Sequence, residues 1–71
     1  ILYPNPATSE VHVPKLSNGI FQYKITNSLG EMVQHGRMRD SIDVSELPNG
    51  MYIIYIQGGS QLYYGKVCVL N

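Results

Sequence analysis

Turn-forming clusters recur along this chain every eight to twelve residues, and that spacing limits what can form between them. The clusters are Pro4-Asn5-Pro6, Asn18-Gly19, Ser28-Leu29-Gly30-Glu31, Arg39-Asp40, Ser45-Glu46-Leu47-Pro48-Asn49-Gly50 and Gly58-Gly59-Ser60. Proline fixes φ and removes a backbone donor, while Asn-Gly tolerates positive φ, so each cluster interrupts a regular element. No helical period of about 3.6 persists beyond one turn in the intervening segments.

Those segments alternate instead. Val11 and Val13 share one face of a strand over Ser9 to Val13, with Glu10 and His12 on the other. Asn18-Gly19 reads as a hairpin turn between Val13 to Leu16 and Ile20 to Ser28. Phe21, Tyr23 and Ile25 then oppose Gln22, Lys24 and Thr26. Met32 to Met38 reads as a return strand on a sheet edge, and Ser41 to Val44 as a short strand. Met51 to Gln57 is apolar on both faces, which suits a central strand in a two-layer structure. Gln61 to Leu70 is the last strand, and Ile1-Leu2-Tyr3 resembles the middle of one. The expected fold is all-β: an Ig-like β-sandwich of about seven short, mainly antiparallel strands.

The length of 71 residues allows one domain, spanning 1–71. Such a short chain buries only about 60% of its unfolded surface, so its margin of stability is thin. Cys68 is the sole cysteine and His12 and His35 are far apart, so neither a disulfide nor a four-ligand zinc site is available to staple it. Five basic residues balance five acidic ones, which argues against a nucleic-acid partner, whose binding needs a basic face. No apolar run approaches the roughly 20 residues of a membrane span. With no initial Met and no signal-peptide pattern, the chain reads as a fragment from the end of a longer polypeptide.

Little in the sequence points to catalysis. No Ser, Cys or Thr sits in a nucleophile motif, and neither histidine has a sequence neighbour to orient it. Asp40 and Asp43 suit turn stabilisation. Gly58-Gly59 precedes no helix and cradles no phosphate. Cys68, opposite in parity to Val67 and Val69, reads as a small buried hydrophobe. The six tyrosines divide between core filling and sheet covering, or form a binding platform. No cofactor is expected.

Four motifs carry a resemblance through their order. They are Tyr3-Pro4-Asn5-Pro6 with Val11 and Val13 behind it, a strand and turn ending in Leu29-Gly30, Leu47-Pro48-Asn49-Gly50-Met51-Tyr52, and Lys66 ahead of Val67 and Val69. Together they resemble the type A C-terminal sorting domain of the type IX (Por) secretion system of Bacteroidetes. The family's final strand is usually richer in lysine; here only Lys66 remains before Cys68-Val69-Leu70-Asn71. The resemblance implies a signal rather than an enzyme. It implies that a passenger crosses the periplasm and the outer-membrane translocon, and that a cell-surface sortase then cleaves upstream of Ile1 and attaches the passenger. It also implies that Tyr3, Pro4, Asn5, Pro6, Leu29, Gly30, Leu47, Pro48, Asn49, Gly50, Tyr52, Lys66, Val67 and Val69 are candidate recognition residues. Two other readings stand beside it. One is an Ig-like adhesion or carbohydrate-binding module using exposed tyrosines, and the other is a structural spacer. Exchange of Ile1 to Tyr3 between isolated copies is a route to a dimer.

Overall fold

The structure, a computed structural model, describes residues 9–12 and 19–70. Six strands run through them: β1 (Glu10–His12), β2 (Phe21–Asn27), β3 (Met32–Met38), β4 (Ser41–Asp43), β5 (Gly50–Gly58) and β6 (Gln61–Val69). They form two antiparallel sheets, a four-stranded one in the order β3-β2-β5-β6 and a two-stranded one of β1 and β4. The all-β expectation holds, with six strands among the described residues rather than about seven. The strand read at Ile1 to Tyr3 lies outside them.

Side-chain alternation decides which face of the large sheet is buried. Tyr23, Ile25 and Asn27 on β2 stand opposite Ile56, Ile54 and Tyr52 on β5. Val67 and Val69 on β6 continue that face beside Tyr52 and Gly50. Opposite them, Val11 and Ile42 pair in the small sheet, and Val44 and Leu47 follow in the chain. These side chains make one shared core, in which Ile25, Ile54, Ile56, Val11, Val44, Val67 and Val69 are fully buried. Each such aliphatic group contributes about 1.5–3 kcal/mol by leaving water, the main source of stability in a chain without staples. Gln34 ties the sheets at their edge. Its Nε2 donates to the Tyr23 hydroxyl at 3.0 Å and to the Asp43 carbonyl at 2.7 Å.

The Met32 to Met38 edge strand and the Ser41 to Val44 strand appear where the pattern puts them, the latter as Ser41–Asp43. Met51 to Gln57 falls within β5, which is indeed internal, between β2 and β6. Its second apolar face, however, is only half covered.

Two expectations need correction. The Asn18-Gly19 turn does not set a hairpin partner against β2, because β3 and β5 occupy both edges of that strand. Residues 13–18 themselves lie outside the described set, and the strand before them, β1, pairs with β4 instead. Cys68 is half-buried on the outer face of the large sheet, across from Met51, rather than in the core. With Val67 and Val69 inside, strand parity sends it outward.

Candidate functional site

The register gathers most of the motif residues at one end of the large sheet. Asn27, at the end of β2, faces Tyr52, which faces Val67; Gly50 faces Val69. The Leu29-Gly30 turn, the start of β5 and the end of β6 therefore share that end. Tyr3, Pro4, Asn5 and Pro6 lie outside the described residues.

Asn27 organises the Leu29-Gly30 turn. Its side-chain oxygen accepts from the Leu29 N–H at 2.9 Å and the Glu31 N–H at 3.0 Å. Its amide nitrogen donates to the Glu31 carboxylate at 3.0 Å. The Gly30 N–H donates to the Asn27 carbonyl at 3.0 Å, with Gly30 at φ +86°, a conformation that side chains with a Cβ rarely adopt. The turn holds Leu29 out in solvent, 82% exposed. Sequence reading singled out Leu29 and Gly30 and missed Asn27, although an Asn just ahead of a turn is a known side-chain-to-backbone signal.

The segment from Leu47 into the start of β5 is a loop running into a strand, anchored at both ends. Leu47 is buried, and its N–H donates to the Val44 carbonyl at 3.1 Å. Buried Tyr52 returns its hydroxyl to the Pro48 carbonyl at 2.6 Å, leaving Pro48 and Asn49 exposed at the rim. Asp43 caps the start of this loop, accepting from the Ser45 N–H at 2.9 Å. The Ser45 hydroxyl and main-chain N–H hold its carboxyl below the ordinary aspartate value, against a small opposing effect of burial. The turn-stabilising role read for Asp43 is thus what the geometry gives it.

Of the final-strand residues, Lys66 is exposed on the outer face, while Val67 and Val69 are fully buried. Their side chains belong to the core, so a partner reading that strand meets Lys66 and the backbone first. Among the described residues β6 pairs with β5 alone, leaving its other edge uncovered.

The outer face of the large sheet is unlike an ordinary solvated face. Tyr55 and Tyr64 stack with centroids 6.4 Å apart, and the Lys24 ammonium lies 5.1 Å from the Tyr55 ring centre. Tyr64 is 76% exposed and Leu62 66%. A shallow depression of about 320 Å³ opens beside Tyr55 and Leu62 against Gln22, Lys24 and Gln57, and another of about 310 Å³ lies further along the sheet against Ser28, Met51, Ile53 and Lys66.

The two histidines lie apart, on β1 and β3. His12 makes a 3.6 Å ion-pair contact with Glu10, and His35 lies exposed on the edge strand β3. Among the described residues, no three His, Cys, Asp or Glu side chains come together to hold a metal. Among the described residues no helix is long and apolar enough to cross a membrane.

The described residues thus form a small two-sheet domain with loops gathered at one end and, among them, no strand on the outer edge of β6. A family model, the secretion system C-terminal sorting domain, matches residues 1–70. The chain belongs to that family of type IX secretion sorting signals. No curated protein matches it.

Proposed function

We propose that this domain is the export address of a larger passenger protein. It carries the passenger across the outer membrane to the cell surface, where a sortase cleaves upstream of Ile1 and attaches the passenger. The family match over residues 1–70 is the observation that carries this reading. The uncovered edge of β6 supports it further, because an exposed strand can be read by strand addition. In that mode main-chain hydrogen bonds supply affinity and alternate side chains supply specificity.

The motif residues divide by role. Leu29, Pro48, Asn49 and Lys66 are exposed and available to a partner. Leu47, Tyr52, Val67 and Val69 are buried and hold that presentation in shape. Gly30 and Gly50, both at positive φ, set the turns.

The test is deletion of Lys66 to Asn71 from the full-length protein in the cells that make it. The passenger is expected to stay folded and active but to accumulate in the periplasm. Delivery to the surface at the parent level overturns the reading. A structural spacer would instead lower the passenger's melting point without trapping it.

A further inference from the structure

The zero net charge of this chain conceals a strong segregation. The register puts Arg37, Lys24 and Lys66 on the outer face of the large sheet. None of the five carboxylates falls there: Glu10 and Asp43 lie on the small sheet, and Glu31, Asp40 and Glu46 lie in connecting segments. Among the described residues, no carboxylate forms an ion pair with Lys24, Arg37 or Lys66. Beside Lys24 and Lys66, on β5 and β6, lies an apolar surface of Met51, Ile53, Tyr55, Leu62 and Tyr64, of which Met51, Leu62 and Tyr64 are half or more exposed. Nothing in the described fold covers it.

We infer that this face docks an acidic protein surface with an apolar centre. Charge complementarity selects the sign of the partner, since Lys24 and Lys66 border the patch on either side, Arg37 adds positive charge on the same face, and a like-charged surface would be repelled. Its apolar content selects a protein. Met51, Ile53 and Leu62 offer a sugar no hydrogen bonds, whereas aliphatic and thioether groups pack well in protein interfaces. The exposed Tyr64 over half-buried Tyr55 supplies a rigid aromatic anchor of the kind that dominates such interfaces. The adjoining β6 edge adds main-chain groups to the same footprint. In a two-residue hairpin around Gly59-Ser60 the flanking pair Gly58 and Gln61 is hydrogen-bonded, so Leu62, Tyr64 and Lys66 turn their backbone groups outward.

This inference rests on the sorting reading and deepens it, placing recognition on a sheet face rather than on the last residues alone. The test uses the full-length protein in its native cells, with the variants K24E/K66E and K24R/K66R beside the Lys66 to Asn71 deletion. K24E/K66E is expected to lower surface delivery about tenfold, with protease-resistant passenger retained in the periplasm, while K24R/K66R delivers normally. If K24E/K66E is delivered within about twofold of the parent while the deletion is blocked, this inference fails and the sorting reading stands. If the deletion too is delivered, the sorting reading fails. Equal loss in both lysine variants also overturns the inference, because the charge is then not what is read. A benzophenone amino acid at position 64 supplies a second measurement. A protease-sensitive adduct with a different protein, lost in K24E/K66E, supports the proposal. An adduct that survives proteolysis, as an acidic glycan would give, or one of twice the parent mass, overturns it.

Discussion

Gly58 and Phe21 touch so closely that one added methyl should be measurable. A Cβ at Gly58 would stand 2.3 Å from Cδ2 of Phe21 and 2.5 Å from Cε2. Carbon atoms rest about 3.5–4.0 Å apart, so the ring would have to retreat by more than about 1 Å. It has little room, because Phe21 is 3% exposed and stands across from buried Met38. Overpacking of this kind costs about 1–3 kcal/mol. The substitution also stiffens the unfolded chain, which returns about 0.4–1 kcal/mol where the backbone tolerates Ala. The loss exceeds the gain, leaving a net destabilisation of about 0.5–2 kcal/mol. Against a total stability on the order of 4–10 kcal/mol for 71 residues, that is a large share. Calorimetry of Gly58→Ala should show Tm falling by roughly 2–16 °C. The steric cause carries its own signature. Phe21→Leu shortens the ring that the methyl strikes, so the double variant should be more stable than the sum of the two single losses. An unchanged Tm, or additivity within about 0.3 kcal/mol, would refute the contact argument.

Two further outcomes test the turns. Asn27→Ala removes the acceptor of two backbone N–H groups at exposed sites and should cost about 1–2 kcal/mol, read as an earlier midpoint in urea with an unchanged slope. Asn27→Asp keeps the acceptor but sets its carboxylate against that of Glu31, so it should recover only part of the loss at neutral pH and more when Glu31 is also changed to Gln. The folded pKa of Asp43 is held below the ordinary aspartate value by its hydrogen bonds to Ser45, so its cap contributes stability above about pH 4 and loses it as pH falls through the lower folded value. The Tm gap between the parent and Asp43→Ala should therefore narrow between pH 5 and 2.5 (assay limits chosen to bracket an ordinary carboxylate, about 3.9); a constant gap would mean that the charge of Asp43 plays no part in the cap.

What was legible in the sequence was local. Alternation at Phe21, Tyr23 and Ile25 identified the buried face of β2, and the apolar run after Gly50 identified an internal strand. Parity alone placed Val67 and Val69 on one face and Lys66 on the other. Strand partnership was not legible. Asn18-Gly19 has hairpin chemistry, yet β2 satisfies both edges with β3 and β5, a choice made by core packing across long stretches of chain. Cys68 shows the same limit. Its parity can be read from the sequence, but that its face is only half covered by the described residues cannot. The order of motifs pointed to a family; that Asn27, Tyr52 and Val67 stand in one row required the register.

Closure of the core by β6 has a consequence for biosynthesis. Two of the fully buried valines arrive only with residues 67 and 69, and until they do Tyr52 and Gly50 lack their neighbours on that side. The β2–β5 pairing also spans about half the chain and is slow to close by contact-order arguments. A chain released before these residues are made thus lacks two fully buried core groups and one strand of the large sheet. The core stays open on one side until β6 is in place, so the shape of every other strand is settled only after its own residues have been made.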